Sequence, residues 1–401
     1  MISRAIIPLL LLIVITDAFF HMRFLRHKPW WAQLLWWLPS IALGAWCVKL
    51  SFVKGFLGDS QGEIELFLFT YCLFMVPKAI FAICSALGRM FGNLNRMLHR
   101  PALQRRRRNY GNLIGLLAAV AAIYIIIYGS SAGFYDIQVR RVELSFSDLP
   151  KAFDGYTIAQ FSDSHLGTYG DDTTFVAKYT QAINDLKPDM ICFTGDLVNR
   201  RTEEAKPFVP QLKRLHAPDG VLAILGNHDY DDYSDWDTEK LKLADQQALR
   251  RLEEECGWTL VDNRHLFIRH GSDSIAIIGT GNYGGSSKNN PTYGKLESSY
   301  PNLNDSCFKI LLQHNPEVWS QIVVGKTNVD LTLAGHTHAM QIMFKMFGLR
   351  LSPARLKFKH WGGLYNEGKQ QLYVNIGMGM VGIPMRAGAT PEITLITLKR
   401  K

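Results

Sequence analysis

Apolar residues fall along this chain in two regimes. Up to about residue 130 they come in four long blocks, residues 5–20, 30–50, 64–87 and 113–128. Each is close to the ~20 residues that a helix needs to cross a bilayer. From about Gly133 the blocks shorten to strand length and alternate with helical and loop stretches. Helical periodicity marks residues 173–186 and 237–255, the second with Leu241, Ala244, Ala248 and Leu252 on one side. Near-continuous apolar strands suggest burial on both faces. Their alternation with helices argues for a layered α/β arrangement. The pattern predicts a transmembrane region of about four helices over residues 1–130, a linker or first strand over 131–150, and an α/β domain over 151–401.

Charge follows the same division. Residues 1–130 hold 14 Lys/Arg and 4 Asp/Glu, a balance of +10, against +9 for the whole chain, so the remainder comes to about −1. The basic character thus belongs to the apolar part and gives no reason to expect nucleic acid. It does orient the spans. Arg23, Arg26 and Lys28 follow the first block, and Arg89, Arg96, Arg100 and "RRRR" at residues 105–108 follow the third. The loop after the second has Lys49 and Lys54 beside Asp59 and Glu63. By the positive-inside rule the odd loops face the cytoplasm, which puts the later domain on the outer, or periplasmic, side. "RRRR" beside a span reads as a topology signal or lipid-phosphate contact. The bulky "DAFFHMRF" after the first block suits a retained anchor better than a cleaved signal. Asp17 and Lys78 lie inside spans, both toward the cytoplasmic half; pairing with each other and separate snorkelling both remain open. The six cysteines, none in Cys-x-x-Cys spacing, suggest neither a disulfide framework nor a thiolate zinc site.

The short apolar runs end alike. "YTIAQFSDSHLG", "DMICFTGDLVN", "GVLAILGNHDY", "FKILLQHNPE" and "VDLTLAGHTHAMQ" each pass from strand to a turn carrying Asp, His or Asn. Sites in α/β folds gather at the carboxyl ends of strands. The inventory there is Asp163, His165, Asp196, Asn227, His228, His314, His336 and His338. Carboxylates and imidazoles without thiolates suit Mn, Fe, Zn or a similar divalent ion. The glycines before Asp196, Asn227 and His336 allow close backbone approach.

Taken in order, "DSH … GDLVN … GNHD … QHNP … GHTH" resembles the five-block signature of the calcineurin-like metallophosphoesterases, over roughly residues 152–400. The tail "LYVNIGMGMVGIPMRAGATPEITLITL" resembles the membrane-associated branch of that family. Ala339 and Met340 in "GHTHAMQ" stand where many relatives have glycines, a change at the rim that leaves the ligands alone. The resemblance implies a four-layer α/β/β/α sandwich as the metallophosphoesterase domain. It also implies a ligand set: Asp163, His165 and His338 for one ion, Asn227, His314 and His336 for a second, and Asp196 bridging. His228 would act on the substrate as a catalytic residue, and Asp229 would orient it through its other ring nitrogen. Two divalent ions about 3.5–4 Å apart would hold the attacking hydroxide between them. The substrate expected is a phosphodiester or pyrophosphate, lipid-linked forms included, met at the bilayer; no protein partner and no further cofactor is suggested. Two other readings stay open: a cytoplasmic-facing nucleotide-sugar lipid pyrophosphatase, and a non-catalytic phosphate-binding sensor or transport module.

Some residues stay outside the blocks. His216, His265, His270 and His360 read as surface or packing residues. Asn199 would touch phosphate or brace its turn. Arg386 would form a structural salt bridge or contact phosphate. "GTGNYGG" lacks the lysine and helix of a phosphate loop, although Tyr283 could reach substrate. Residues 345–365 mix Phe347, Leu349 and Trp361 with basic residues, which suits either a bilayer surface or an ordinary rim.

Overall fold

A computed structural model describes residues 2–52, 59–98, 108–284, 291–346 and 348–401. It separates into two compact units, residues 1–131 with 382–384, and residues 132–381 with 385–401.

The first unit is helical. Helices α1 (Ile2–Phe20), α2 (Trp30–Ser51), α3 (Asp59–Leu98) and α4 (Tyr110–Ser130) contain four segments long and apolar enough to span a membrane, Ala5–Leu25, Trp30–Ser51, Gly62–Leu94 and Tyr110–Ser130. Lys54, Arg100 and residues 105–107 of the "RRRR" run lie outside the described residues. Lipid tails are as apolar as the helix surfaces, so packing and polar contacts must hold such helices together. Both occur here. At Gly111 of α4 a Cβ would strike the Cys84 carbonyl and come within 2.9 Å of the Gly88 Cα on α3, so the two backbones meet where side chains are missing. Asp17 and Lys78, from α1 and α3, pair at 2.9 Å. Lys78 also donates to Ser40 Oγ at 2.9 Å, and Trp36 Nε1 donates to the same Asp17 oxygen at 3.0 Å. Of the two arrangements open from the sequence, the protein adopts the pair.

The second unit holds two six-stranded sheets. The first runs β1 (Gln138–Phe146), β14 (Glu392–Arg400), β2 (Thr157–Phe161), β3 (Met190–Phe193), β4 (Val221–Ala223), β5 (Thr259–Leu260). The second runs β12 (Gly363–Glu367), β13 (Gln370–Val374), β9 (Leu331–Ala334), β8 (Phe308–Leu312), β7 (Asp273–Gly279), β6 (Arg264–His270). A two-stranded ribbon, β10 (Phe344–Met346) with β11 (Leu349–Leu351), stands apart from both. Strands β2 to β5 are mutually parallel, as are β7, β8, β9 and β13.

The period-2 alternation of strand side chains divides the apolar residues between three cores. Ile158, Met190, Cys192 and Leu222 point from the first sheet into the space between the sheets, where they meet Ile275, Ile277, Ile310, Leu312 and Leu333 of the second. Their neighbours Ala159, Phe161, Ile191, Phe193 and Ala223 point outward and pack on helices Thr174–Asp185 and Glu239–Glu255. On the far side, Ala276, Ile278, Leu311 and Val374 pack with Trp319, Leu296 and Tyr300 from short helices and turns. Helix, sheet, sheet and helix thus form the four layers that the resemblance implied.

Helix Glu239–Glu255 corrects one expectation. Its buried residues are Leu249, Leu252 and Glu253, while Leu241 is 49% exposed. Only the last two turns lie on the sheet, so the apolar side is set by Leu249, Leu252 and Cys256 rather than by the first half.

Candidate metal centre

All eight strand-end residues meet in one place. Asp163 and His165 follow β2, Asp196 follows β3, Asn227 and His228 follow β4, His314 follows β8, and His336 and His338 follow β9. Since β2, β3 and β4 are adjacent in one sheet and β8 and β9 in the other, the carboxyl ends of five strands converge. The candidate donor atoms form three overlapping groups, each within 4.8 Å: Asp163, His165 and His338; Asp196, His314 and His336; and His165, Asp196 and His228. His338 Nε2 lies 3.2 Å from Asp163 Oδ1 and 3.1 Å from His165 Nε2. Asp196 Oδ2 lies 3.2 Å from His314 Nε2 and 3.6 Å from His165 Nε2, between the two sides.

The local backbone is strained to bring this about. Asp163, His165, Asp196, His336 and His338 all have positive φ, from 43° to 76°. Non-glycine residues enter that region at a cost and collect at functional sites when the surroundings over-determine them. Gly335 shows how tight the approach is, because a Cβ there would strike Ser162 Oγ and an Asp163 carboxylate oxygen. The His336 N–H donates to both Asp163 oxygens at 3.0 Å, which ties the two sheets together at the site.

The donor set fits divalent cations. Asp163, His165, Asp196, Asn227, His314 and His338 are buried, and only His228 and His336 are partly open to solvent. The His314 Nδ1–H donates to the Thr194 carbonyl at 2.7 Å, which leaves the Nε2 lone pair pointing inward. Asn227 Nδ2 donates to the Tyr233 hydroxyl at 3.0 Å, and its Oδ1 is buried without a partner. That network assigns the amide with its oxygen toward the cluster. The charge pattern is that of a site built for positive charge. Burial works to raise both Asp163 and Asp196, but the surrounding imidazoles outweigh it and hold both carboxyls well below their usual range. Burial and the His228 ring push His165 well down, and burial and His314 push His336 down to about 3. For His314 the effect of burial is outweighed by Asp196, which lifts it to about 9. His165 and His336 are thus held neutral, as metal ligation requires, whereas a cation at the site would have to displace the proton that Asp196 holds on His314.

Around this cluster several expectations change. Asp229 does not orient His228. Its two carboxylate oxygens accept the backbone N–H groups of Asp196 (2.7 Å), Leu197 (2.9 Å), Val198 (3.2 Å) and Gly226 (2.9 Å). It therefore shapes the turn that presents Asp196. Burial and the nearby Asp196 push its pKa up to about 7, while the N–H bonds to Gly226 and Val198 pull the other way. The His228 Nδ1–H donates instead to the carbonyl of Asn199 at 2.6 Å. Asn199 thus acts through its backbone, and its side-chain amide donates to Thr168 Oγ1 at 3.2 Å.

Arg386 makes no salt bridge among the described residues. Fully buried, it donates to the carbonyls of Gly379, Ala389 and Ile376 at 2.8–3.1 Å, with Nη2 3.1 Å from His338 Nδ1. Burial lowers its pKa to about 10. The Tyr283 hydroxyl accepts the Leu296 N–H at 2.6 Å, and Gly285 of the same loop lies outside the described residues. Tyr233 is the residue that the sequence did not single out. Its ring stacks on His228 at 4.1 Å and 11° while its hydroxyl holds Asn227. A tyrosine in a polar loop six positions after Asn227 carries no pattern that separates it from a surface residue. The set-aside histidines are accounted for locally, His216 by Arg214, His265 by Ser299, His270 by Asp219, and His360 by packing near Trp319 and Glu317.

The fold and the cluster together define a metallophosphoesterase. Comparison with known proteins gives the same class: residues 156–340 match the calcineurin-like phosphoesterase family, and residues 3–134 match a family described as "Probable Calcineurin-like phosphoesterase, transmembrane domain". The chain is similar to the metallophosphoesterase YkuE of Bacillus subtilis, 34% identical over 73% of this chain and 97% of that one. It is also similar to the metallophosphoesterase Cj0846 of Campylobacter jejuni, 27% identical over 86% and 84% of the two chains. A transmembrane protein with metallophosphoesterase domain from Danio rerio is 27% identical over 71% of this chain and 62% of its own. The chain belongs to the calcineurin-like phosphoesterase family. With its four candidate spans and its match to the transmembrane domain, it is an integral membrane member of that family.

Proposed function

We propose that the protein is a dinuclear metal-dependent phosphoesterase that hydrolyses phosphodiester or pyrophosphate substrates and carries its catalytic domain on the outer side of the membrane. The observation that carries the reading is the convergence of Asp163, His165 and His338 in one group of donor atoms and of Asp196, His314 and His336 in another, with Asp196 also within reach of His165 and the free Asn227 oxygen buried nearby. Asp163, His165 and His338 would hold one divalent ion, and Asn227, His314 and His336 the other. Asp196 lies between His165 and His314 and would serve both. Mn, Fe and Zn all suit such a set of carboxylate, amide and imidazole ligands. Ions bound there would supply Lewis-acid polarisation of the phosphoryl group and a nucleophile at neutral pH.

The chain's own part is orientation and proton handling. His228 is half open to solvent and is held by its Nδ1–H on the Asn199 carbonyl and by the ring of Tyr233. Its Nε2 is therefore the atom that meets the substrate. Protonated there, it neutralises phosphoryl charge and gives its proton to the leaving oxygen. Burial disfavours that protonated form, whereas Asp196 and the Asn199 carbonyl favour it. General acid help of this kind is typically worth ~10²–10⁴-fold. The outer placement rests on the basic residues of the odd loops.

The test is hydrolysis of bis-p-nitrophenyl phosphate by the purified full chain in detergent with Mn²⁺, Fe²⁺ or Zn²⁺. Failure with every ion would reduce the domain to a phosphate-binding module. A reporter fused after Lys401 reads the side of the membrane; a cytoplasmic signal would favour a substrate presented from within.

A further inference from the structure

The chain between the last metal-ligand turn and β12 forms an excursion with its own chemistry. Strands β10 and β11 pair Phe344 with Leu351, Lys345 with Arg350, and Met346 with Leu349. Alternation puts Phe344, Met346, Leu349 and Leu351 on one face of the ribbon and Lys345 with Arg350 on the other. Among the described residues nothing covers the apolar face: Phe344 is 48% exposed, Met346 52% and Leu349 65%. The turn Pro353–Leu356 that follows adds Leu356, 93% exposed. Through residues 343–359 there are five Lys or Arg, all exposed, and no Asp or Glu. None of the five forms an ion pair among the described residues. Phe347 lies outside the described residues. Trp361 and Phe358 are buried with Ala339, Met343, Ala354, Ile376 and Ala389, so of the two readings left open for Trp361 the lipid surface does not hold: it anchors the excursion from beneath.

Two features make this ribbon unfavourable in water. A lone two-stranded ribbon is marginal without a surface to pack on. Like charges directly opposite each other across a strand pair are destabilising, and here Lys345 faces Arg350. An apolar phase edged with anions removes both defects. We propose that residues 344–346 and 348–359 form a membrane-interface element that seats on an anionic bilayer surface, with Phe344, Met346, Leu349 and Leu356 entering the acyl boundary and Lys345, Arg350, Arg355, Lys357 and Lys359 meeting lipid phosphates. The same chain carries four candidate spans, so a bilayer is always within tethered reach. The element joins directly to the site, since Ser352 Oγ donates to the Ala339 carbonyl at 2.6 Å, one residue past His338. Phosphate-bearing lipids gathered there would be delivered to the turn that holds the proposed ligands; this last clause rests on the phosphoesterase reading, and the seating itself does not.

The experiment uses the full chain in nanodiscs of phosphatidylcholine alone or of a two-to-one mixture with phosphatidylglycerol. A photo-reactive benzoylphenylalanine replaces Leu349, with a second protein carrying it at Leu243 of helix Glu239–Glu255, which is also exposed, as control. Irradiation followed by mass spectrometry should give a lipid adduct at position 349 and none at 243, with a higher yield in the anionic discs. Lys345→Gln and Arg350→Gln should each lower that excess by roughly fivefold, the factor expected for one cation at an anionic surface. Trypsin cleavage of the unsubstituted protein after Lys345 and Arg350 should slow in anionic discs relative to neutral ones, a readout independent of any variant. A protein adduct at 349, no adduct at all, or equal cleavage in both disc types would overturn the proposal. Hydrolysis of soluble bis-p-nitrophenyl phosphate by the same samples reads the site separately. Loss of that activity with the lipid adduct retained would count against the phosphoesterase reading and leave the interface standing.

Discussion

At the residue scale the proposed site would divide its labour between holding charge and moving a proton. Asp196 sits between His165 and His314, and Asp229 supports it only through backbone N–H groups. His228 hangs from a carbonyl and an aromatic ring. His228→Ala should therefore lower kcat by ~10²–10⁴-fold with metal content unchanged, whereas Asp196→Ala should empty the site, as read by elemental analysis of dialysed protein. Equal metal loss in both would show that His228, whose ring shares a 4.8 Å group with His165 and Asp196, is itself a ligand. Tyr233→Phe removes the hydrogen bond to Asn227 but keeps the stack. It should weaken binding of one ion by about 10–100-fold, measured calorimetrically, with kcat at saturating metal nearly intact. Tyr233→Leu should lower both.

Glu253 gives a stability test at the same scale. It is buried with neither carboxylate oxygen hydrogen-bonded, and burial, then Asp229, push its pKa well above the usual carboxylate value. A folded-state pKa above the unfolded one means that the folded chain keeps a proton the unfolded chain releases. Stability from this group is then complete below the unfolded value, near 4.5, and is lost as pH rises toward the folded value. Glu253→Gln should raise the Tm at pH 8 more than at pH 5. A pH-independent change in Tm would contradict the assignment.

At the element scale, each strand of the two sheets serves two cores, and its carboxyl end serves the site. The helices of the first unit have no such hydrophobic drive, and the Asp17–Lys78 pair with Ser40 and Trp36 links α1, α2 and α3 instead. Breaking one partner leaves a buried charge alone and typically costs about 3–5 kcal/mol, while replacing both with apolar residues costs far less. Asp17→Leu should thus destabilise the helical unit more than the Asp17→Leu/Lys78→Leu double substitution, measured by unfolding in mixed micelles. Additive losses would mean that the contact carries little energy.

At the scale of the whole molecule, all seven proposed ligands and all three of the large cores around the sheets belong to residues 132–401. A fragment of those residues should fold without the spans and bind on the order of two divalent ions per chain, as read by circular dichroism and elemental analysis. A fragment that stays unfolded would show that the domain needs the helical unit to fold, and a folded one that takes up no metal would count against the ligand assignment.

The sequence by itself determined the four apolar spans, the strand ends and the identity of the converging side chains. These follow from periodicity and from residue chemistry, which are local. It also left Asp17 and Lys78 with two arrangements, because pairing depends on which helices are neighbours. Only the tertiary structure decided that Asp229 grips backbone N–H groups, that a carbonyl at Asn199 orients His228, and that Tyr233 serves Asn227 and His228 together. Backbone carbonyls and N–H groups are the same at every residue, so no side-chain pattern reports them. The same reason separates Leu349 from Trp361: both are large and apolar in one basic stretch, and burial, which is a property of the packed whole, leaves the first in solvent and puts the second underneath.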